Sequence, residues 1–443
     1  MKKSNYNISV KRENGTLIFN SFTNNYVVLP NLVYHDFLQE TIEDFLRIHP
    51  TAYKTLEENG MIIPNAKDEM ALLEYKNKTA IYASRRQNII VYPTQDCNLK
   101  CWYCYESHVP NTRMSEKVME SIIKFITLKL KENAFDELFV TFFGGEPLTD
   151  FNRIAFPLCV KLKGLVEKEG KTFSCFFVTN ASLIQEDTIE KFKIIKPRLQ
   201  ITLDGNKERH NKVRIWKKTE APTYEHIMWA IHRLAEEIDE DYFITFRINY
   251  DNDTLKGLLD VLNDIKDIQP QKLYVHFERV WQTIGSAGSE QKEEIKKIML
   301  EFVKHGFCVD QGRFNGFPYA CPSDAKSTIV VNYDGTIHKC NGRTLSKQTQ
   351  YGILHDDGTL TLDEDLLSMR LSRSTFEHKE CLACKMLPMC MGPCSQKLLE
   401  TDWKWTKGIC SMQGIDTSLS DYLLIDFLSK SLINERKNEK KDI

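Results

Sequence analysis

The sequence predicts an α/β protein, in which a partial (β/α)6 TIM-like barrel lies between a small α+β domain and a cysteine-rich domain. Short apolar runs alternate with amphipathic helical patterns between residues 88 and 278, which is typical of parallel strands joined by right-handed crossovers. The first 85 residues contain no cysteine. Ten of the 13 cysteines fall into two spaced groups, three at 97–104 and seven at 321–410, and this clustering favours metal ligation over disulfides.

Composition and charge describe an ordinary globular protein. The chain has 42% hydrophobic and 27% charged residues and a net charge of −2, so neither a nucleic-acid partner nor a membrane surface is favoured. We find no secretory signal pattern and no apolar run of membrane-spanning length, and we expect a cytoplasmic protein. At 443 residues several domains are expected. We predict five segments: an N-terminal domain at 1–85, the barrel at 86–280, a bridge at 281–318, the cysteine-rich domain at 319–415, and a C-terminal helix and tail at 416–443.

The N-terminal segment reads as a small sheet backed by helices. Three β-type runs, at 6–10, 16–19 and 26–29, are separated by turn signals, and helical patterns follow at 33–48 and 51–59. The exposed edge of such a sheet could bind a peptide as an additional strand. A capping domain that binds no ligand is an equally weighted alternative.

The barrel segment supplies six predicted strands, and the first of them leads directly into the first cysteine group. In full (β/α)8 barrels the active site lies at the carboxyl ends of the strands, so we expect the chemistry there. The predicted strands cover residues 89–93, 138–143, 172–178, 199–203, 242–248 and 272–277.

The first cysteine group is a C-x3-C-x2-C run formed by Cys97, Cys101 and Cys104. Cysteine thiolates hold four-iron clusters, and with no fourth cysteine close by, one iron would stay open to an outside ligand. The alternatives are a zinc site or three unrelated buried thiols. Structural zinc sites favour paired C-x2-C ligands and four donors, which this run does not offer.

This spacing resembles that of the radical S-adenosylmethionine (SAM) enzymes. The resemblance implies that Cys97, Cys101 and Cys104 hold a [4Fe-4S] cluster whose open iron binds the amino and carboxylate groups of SAM. In that family, reduction releases a 5′-deoxyadenosyl radical that abstracts hydrogen, so the cofactor carries the difficult step.

Six further positions match motifs that bind SAM in this family. Glycines permit close backbone approach to a ligand, and an arginine offers a carboxylate paired charged hydrogen bonds. A simple Gly-Gly-Glu-Pro turn and a surface ion pair are the structural alternatives. The resemblance assigns Tyr103 to the adenine, Gly144, Gly145 and Glu146 to the methionyl amino group, and Thr202 and Arg214 to the carboxylate.

The second cysteine group reads C, G-x4-C, C-x2-C-x5-C-x3-C, C, and it resembles the SPASM extension of radical SAM proteins. The extension implies two auxiliary iron–sulfur clusters, expected to be [4Fe-4S]; a pair of zinc sites is the alternative. The first would be held by Cys381, Cys384, Cys390 and Cys410, and the second by Cys321, Cys340 and Cys394. The second set lacks a fourth cysteine, so its cluster has an open iron or is completed by Cys308 or by a residue other than cysteine.

Relatives with this layout act on peptides or proteins. The resemblance therefore implies a peptide maturase that crosslinks a ribosomally synthesised peptide through a thioether or a carbon–carbon bond. Its partners would be a precursor peptide with a leader, bound by the N-terminal domain, and an electron donor such as flavodoxin or ferredoxin. One alternative is formylglycine formation in a sulfatase, but that branch places an aspartate where this chain has Asn341. A second alternative is a non-catalytic iron–sulfur electron carrier. The catalytic base is not identified by the sequence.

Overall fold

The computed structural model describes residues 1–241, 243–312, 319–372, 375–401 and 404–439. The chain divides into two compact units. The first contains Met1–Ile81 and the described parts of 313–321 and 373–443, and the second contains Tyr82–Gly312 and Pro322–Ser372. The described helices include none that is long and apolar enough to cross a membrane.

The secondary structure is mixed, and the predicted α/β fold is confirmed. The described strands are β1 (Lys2–Lys3), β2 (Asn7–Arg12), β3 (Gly15–Asn20), β4 (Asn25–Leu29), β5 (Ile62–Ile63), β6 (Arg86–Val91), β7 (Glu137–Phe142), β8 (Thr172–Thr179), β9 (Arg198–Leu203), β10 (Ile244–Tyr250), β11 (Leu273–Arg279), β12 (Cys308–Gln311), β13 (Thr328–Val331), β14 (Thr336–His338), β15 (Gly352–Leu354) and β16 (Leu360–Leu362). The described α-helices are α1 (Asn31–Gln39), α2 (Ile42–Ile48), α3 (Pro50–Glu58), α4 (Glu69–Tyr82), α5 (Glu116–Lys131), α6 (Phe156–Lys168), α7 (Glu186–Ile195), α8 (Lys207–Val213), α9 (Tyr224–Glu237), α10 (Asn252–Leu255), α11 (Asp260–Ile265), α12 (Ser289–Lys304), α13 (Glu364–Ser372), α14 (Lys379–Leu382), α15 (Leu387–Cys390), α16 (Ser395–Leu399) and α17 (Leu419–Glu439).

The first unit is built around the antiparallel sheet β2–β3–β4. All six residues of β3 are buried, because both faces of this strand are covered. Ile18 packs into a core with Phe37 and Phe45 of α1 and α2, whereas Phe19 packs with Tyr422 of α17. The N-terminal segment and the cysteine-rich C-terminal segment therefore share one core within this unit.

One predicted helix of the first unit is in fact two. The pattern at 33–48 continues across residues 40 and 41, but the chain leaves the helical conformation there. The hydroxyl of Thr41 accepts a hydrogen bond from the backbone N–H of Asp44 at 3.1 Å, which satisfies a donor in the first turn of α2 and starts a new helix.

The second unit contains, among the described residues, one sheet of 11 strands in the order β12-β11-β10-β9-β8-β7-β6-β13-β14-β15-β16. The strands from β12 to β13 are parallel, and β13 to β16 are antiparallel. All six predicted barrel strands are present in this sheet, although Tyr242, at the start of the fifth predicted strand, lies outside the described residues. The parallel part continues beyond them, into β12 from the predicted bridge and into β13.

The two faces of the parallel sheet differ. On one face Phe177 contacts Phe192 of α7, and Phe277 contacts Phe302 of α12; the strand residues there are fully buried. The other face, called the inner face below, carries Thr202, Arg247, His276 and Asp310, which are paired in register across β9, β10, β11 and β12. Arg247, His276 and Asp310 are only partly buried, so this face is accessible and polar.

Candidate functional site

The loop that carries Cys97, Cys101 and Cys104 follows β6 at the carboxyl end of that strand, where the sequence predicts the chemistry. Asp96 closes this loop, because its carboxylate accepts hydrogen bonds from the backbone N–H of Cys97 at 2.9 Å and of Asn111 at 3.1 Å. The three thiols are thus presented by a short, hydrogen-bonded loop rather than by an extended segment.

A second segment pairs with the cysteine loop. The backbone N–H of Lys100 donates to the carbonyl of Ile215 at 3.2 Å, and the N–H of Lys217 donates to the carbonyl of Asn98 at 2.8 Å. The residues directly after Arg214 therefore run alongside the loop, which brings this arginine next to the cysteines although more than 100 residues separate them in the sequence.

The glycines after β7 are required by the same loop. The N–H of Gly145 donates to the carbonyl of Thr94 at 3.2 Å, and the N–H of Glu146 donates to the carbonyl of Asp96 at 3.0 Å. A Cβ atom on Gly144 would overlap the Thr94 carbonyl oxygen, and one on Gly145 would overlap the Asp96 carbonyl oxygen. The two backbones can approach this closely only because neither glycine has a side chain.

Glu146 is buried, and both of its carboxylate oxygens accept hydrogen bonds from the protein. One oxygen accepts from the N–H of Leu148 at 3.0 Å and the hydroxyl of Thr179 at 2.7 Å, and the other from the N–H of Asn180 at 2.8 Å. Burial raises the pKa of this carboxyl, and these donors oppose the rise. Its side chain therefore fastens the turn after β7 to the end of β8, and its predicted contact with SAM remains a prediction.

Of the three cysteines of the loop, Cys97 is buried, and Cys101 and Cys104 are partly buried. Burial raises the pKa of Cys97 to about 12 and that of Cys101 to about 11, and it also raises the pKa of Cys104. Metal binding therefore has to displace these protons. Within the described ranges, no group of three or more histidine, cysteine, aspartate or glutamate side chains is gathered as for a single metal ion. A four-iron cluster is larger than one ion and needs thiolates that stand further apart.

Arg214 is 8% exposed, and one edge of its guanidinium group makes no hydrogen bond to the described residues. Its Nη1 donates to the Tyr103 hydroxyl at 2.7 Å and lies 3.5 Å from the Asp204 carboxylate. Its Nε is buried and has no hydrogen-bond partner. A buried donor without an acceptor is costly, and a carboxylate is the ligand that fits the planar fork of a guanidinium. This orphaned nitrogen fits the SAM carboxylate that the sequence predicts here.

The Tyr103 hydroxyl joins the groups around Arg214. It donates to the Asp204 carboxylate, whose oxygens are both 2.8 Å away, and it accepts from Arg214 and from the Asn249 side chain at 2.9 Å. Sequence reasoning assigned only the ring of Tyr103, and it missed Asn249 because no motif surrounds that residue on β10. Thr202 lies on the neighbouring strand β9, in register with Arg247 of β10.

His210 is hydrogen-bonded to Asp204 and, through Thr223, to Arg214. Its Nδ1 accepts from the backbone N–H of Asp204 at 3.3 Å, and its Nε2 donates to the Thr223 hydroxyl at 3.0 Å. That hydroxyl in turn donates to the carbonyl of Arg214 at 2.6 Å. Burial, together with the positive charge of Arg214, lowers the pKa of His210, so the ring is neutral and holds Asp204 and Arg214 in place.

The first unit brings together the four cysteines predicted to hold one auxiliary cluster. Burial and the nearby Cys390, Cys410 and Cys384 raise the pKa of Cys381 to about 11, and the indole of Trp405 opposes this rise. Burial, Cys410 and Cys384 likewise raise the pKa of Cys390 to about 11. Because thiol groups act on one another in this way only at short range, the four side chains are neighbours. This arrangement fits the four-cysteine ligation of a [4Fe-4S] cluster.

The other cysteines are divided between the two units. Cys340 belongs to the second unit, and Cys321 and Cys394 belong to the first, so their predicted joint cluster remains a prediction. Cys159 and Cys175 are buried as expected for core residues. Cys308 is buried on β12, opposite Tyr274 in register.

Comparison with known sequences agrees with this geometry. Residues 91–265 match the family model described as the Radical SAM superfamily. The chain is 30% identical over 124 residues to uncharacterized protein MJ0907 of Methanocaldococcus jannaschii, spanning 27% of this chain and 39% of that protein. It is 22% identical over 344 residues to the cysteine-type anaerobic sulfatase-maturating enzyme of Clostridium novyi, spanning 68% and 85%. It is 25% identical over 211 residues to the antilisterial bacteriocin subtilosin biosynthesis protein AlbA of Bacillus subtilis, spanning 42% and 44%.

Two solved structures share the fold. Native anSMEcpe with bound AdoMet and Cp18Cys peptide has a TM-score of 0.54 and 19% identity, over 80% of this chain and 99% of that chain. Streptococcus suis SuiB bound to S-adenosylmethionine has a TM-score of 0.53 and 14% identity, over 93% of this chain and 100% of that chain. Residues 91–265, which carry the cysteine loop and the arginine site, are thus the part of this chain that matches the radical SAM superfamily.

Proposed function

We propose that this protein uses SAM to modify a ribosomally synthesised peptide, by forming a thioether or a carbon–carbon crosslink. The observation that carries the proposal is the unused, buried Nε of Arg214 beside the cysteine loop. In the proposal, Cys97, Cys101 and Cys104 hold a [4Fe-4S] cluster, and SAM with this cluster supplies hydrogen-atom abstraction when both are bound.

The residues of the chain bind and orient SAM. Arg214 and the Thr202 hydroxyl bind its carboxylate, and Tyr103 together with Asp204 fixes the guanidinium in position. The backbone at Gly144 and Gly145, with Glu146 fastened behind it, presents polar main-chain groups to the methionyl amino group. An electron donor such as flavodoxin or ferredoxin would supply the reducing electron. Cys381, Cys384, Cys390 and Cys410 would hold an auxiliary cluster that could accept an electron from the substrate.

A peptide substrate is supported by the relatives and by the first unit. AlbA is named for bacteriocin biosynthesis, and the anSMEcpe structure contains a Cp18Cys peptide. In the first unit β4 is an edge strand of its sheet, and Val28 on it is 53% exposed. A groove of about 430 Å³ beside this edge is lined by apolar residues that include Leu29, Val33 and Ile48. We infer that a leader segment adds to β4 as a strand and places its side chains in this groove.

Formylglycine formation in a sulfatase is the second candidate. It is favoured by the match that spans 85% of the Clostridium novyi sulfatase-maturating enzyme. It is disfavoured by Asn341, because an amide side chain cannot serve as a general base. A non-catalytic electron carrier is disfavoured by Arg214, since such a protein has no use for a carboxylate site next to its cluster.

The first experiment tests the cofactor chemistry. Anaerobically reconstituted enzyme is incubated with SAM and dithionite, and SAM binding and 5′-deoxyadenosine are measured. We expect binding and cleavage in the wild type, and at least a tenfold loss of affinity in Arg214→Lys, because lysine cannot form the paired hydrogen bonds. Arg209→Lys is the matched control, since Arg209 pairs with Asp251 at 2.6 Å instead. A wild-type enzyme with full iron content that binds no SAM would contradict the proposal.

The second experiment tests the peptide. The region beside the gene is searched for a short open reading frame, the enzyme is co-expressed with it, and the peptide product is analysed by mass spectrometry. Crosslinking removes about two hydrogens per bond, because the new bond replaces two bonds to hydrogen. An unmodified peptide, or a modified sulfatase instead, would contradict the assignment.

The third experiment tests the leader site with point variants. Val28→Asp places a charge on the β4 edge and is expected to weaken binding of the leader peptide at least tenfold. Val160→Asp, at a position that is 44% exposed on α6, is the matched control and should bind normally. Equal binding by both variants would exclude β4 as the docking edge.

A further inference from the structure

Four polar side chains lie in one register row on the inner face of the second unit. Thr202 pairs with Arg247, Arg247 with His276, and His276 with Asp310, on four adjacent parallel strands. Glu278 lies one row further towards the carboxyl ends, in register with Asn249. The row therefore runs from the proposed SAM site at Thr202 into a part of the face that lies beyond that site.

Two carboxylates, one in this row and one in the next, contact the histidine. Asp310 lies 2.6 Å from His276 Nδ1, and Glu278 lies 3.0 Å from His276 Nε2. Burial acts to lower the pKa of His276, but the two carboxylates outweigh burial and raise it to about 9. His276 is thus an imidazolium at neutral pH, and neither acid forms an ion pair with Arg247 within the described residues.

Within the part of the chain that the structure describes, the guanidinium group of Arg247 is hydrogen-bonded through only one of its three nitrogens. Its Nε donates to the Asn249 side-chain oxygen at 2.8 Å, and Asn249 donates to the Tyr103 hydroxyl at 2.9 Å. Its two terminal nitrogens reach no acceptor among the described residues, and neither of them is buried. The guanidinium is therefore fixed in direction, and its two terminal amino groups are presented to the inner face.

Two arginines with unused donors thus flank Tyr103. We propose that Arg247 is a second anion site, which binds a carboxylate of the peptide substrate, either an Asp or Glu side chain or a C-terminal carboxylate. This inference rests on the proposed function, because it takes the inner face as the place where the peptide lies. It differs from that function in assigning a specific group of the substrate to a specific residue.

The geometry of the Arg247 guanidinium indicates which chemical class of substrate group it binds. A guanidinium binds a carboxylate through paired, charged hydrogen bonds, and its rigid plane makes the contact directional. A partly buried cation without an acidic partner carries an uncompensated desolvation cost, and a substrate carboxylate offsets that cost. Since Asn249 contacts both Arg247 and Tyr103, a substrate held there lies next to the bound cofactor.

The test is residue-specific chemical labelling of the anaerobic holoenzyme. Phenylglyoxal modifies accessible guanidinium groups, and peptide mass spectrometry measures labelling at Arg247 alone; Arg247→Lys verifies the assignment. The probes are N-acetylglutamic acid α-amide, which has one carboxylate, and N-acetylglutaminamide, which has none. Arg12, exposed on β2 of the first unit, is the internal reference. We expect the carboxylate probe at least to halve labelling of Arg247, the amide probe to leave it unchanged, and Arg12 to respond to neither.

Three results would overturn the inference. The first is an Arg247 that does not react in the free enzyme, since its terminal nitrogens would then be covered. The second is equal protection by the acid and the amide, which would exclude recognition of charge. The third is protection by SAM alone, which would assign Arg247 to the cofactor. Equilibrium dialysis of SAM on the same wild-type sample separates these results from failure of the proposed function, which would appear as absent SAM binding.

Discussion

At the scale of single residues, the site depends on one hydroxyl group. The Tyr103 hydroxyl contacts Arg214, Asp204 and Asn249, which come from three different elements of the second unit. The side chain of Asn249 also accepts a hydrogen bond from Arg247. The Tyr103 hydroxyl therefore connects the proposed cofactor site with the proposed substrate site. The aromatic ring without its hydroxyl could fill the same space but could not make these connections.

The substitution Tyr103→Phe should therefore weaken SAM binding while leaving the fold intact. Loss of a hydrogen bond to a charged group costs about 1.5 kcal/mol, which corresponds to about a tenfold rise in the dissociation constant. Equilibrium dialysis or calorimetry on the reconstituted enzyme measures the change. Tyr75→Phe is the control, since Tyr75 is 67% exposed on α4. Unchanged affinity in Tyr103→Phe would show that the hydroxyl does not orient Arg214.

The cluster around His276 makes stability depend on pH. The folded pKa of about 9 lies above the ordinary histidine value of 6.5, so the paired imidazolium contributes its full stability below pH 6.5 and loses it as the pH rises through 9. The shift corresponds to about 3 kcal/mol. We expect the urea midpoint to fall between pH 6.5 and 9, and His276→Gln to remove most of that fall.

The exposed histidine variant His35→Gln is the control for this experiment, because its side chain is 69% exposed. It should keep the pH dependence of the wild type. If His276→Gln also kept that dependence, the ion pairs with Asp310 and Glu278 would contribute nothing measurable to stability.

Sequence reasoning located some of these residues and missed others for a physical reason. Short motifs, whose spacing resembles that of known cluster-binding and SAM-binding motifs, contain the cysteines, Gly144, Gly145 and Arg214. Asn249, Arg247 and His276 lie in ordinary strands, and they come together only through the register of β10 with β9 and β11. Register between strands far apart in the sequence cannot be derived from local patterns.

At the scale of elements, the turn after β7 has to accommodate the cysteine loop. Gly145→Ala would place a Cβ on the carbonyl oxygen of Asp96, which is backbone and cannot move away like a flexible side chain. We expect a loss of stability of more than about 1 kcal/mol and a reduced iron content after reconstitution, measured by urea unfolding and iron analysis.

Gly164→Ala is the matched control for this turn. Gly164 lies inside α6 and a Cβ there would meet no atom within 4 Å, so alanine should stabilise the helix by about 0.5–1 kcal/mol. Opposite signs for the two variants would show that the glycine requirement belongs to the turn. A harmless Gly145→Ala would contradict the close approach of the two backbones.

The strand β12 shows why one element escaped prediction. Its four residues include Asp310 and Gln311, and this polar pair breaks the apolar run by which the other strands were recognised. Both polar groups are satisfied only in the fold, Asp310 by His276 and Gln311 by the Tyr250 hydroxyl. Tertiary partners thus outweigh local strand propensity at this position.

At the scale of the whole molecule, the N-terminal segment and the C-terminal cysteine segment form one unit. The sequence divides them into separate domains, because the predicted barrel and bridge, more than 200 residues together, lie between them and no local pattern links them. In the fold Phe19 packs with Met386, Tyr422 and Leu423, and the partly buried Cys384 and Cys390 lie against the same core. The sheet of the proposed leader site and the segment of one proposed auxiliary cluster therefore pack on the same hydrophobic core.

Deletion of residues 1–81 should consequently damage the C-terminal segment as well as peptide binding. It would expose Met386, Tyr422 and Leu423, and also Leu387 and Met391, which pack with Tyr6, Phe22 and Leu73. We expect early cleavage within 375–439 in limited proteolysis, followed by mass spectrometry, and a loss of about four iron atoms per chain if one [4Fe-4S] cluster is lost.

A graded version of this change distinguishes the shared core from a general effect of truncation. Phe19→Ala leaves the chain complete but removes a buried ring from that core, at an expected cost of about 3–5 kcal/mol. Tyr26→Phe, which removes only the hydrogen bond to Asp426 at 2.6 Å, should cost about 1 kcal/mol. Cleavage at 375–439 should therefore accelerate strongly in Phe19→Ala and slightly in Tyr26→Phe. If Phe19→Ala left this segment as resistant as in the wild type, the C-terminal cysteines would be held independently of the N-terminal sheet.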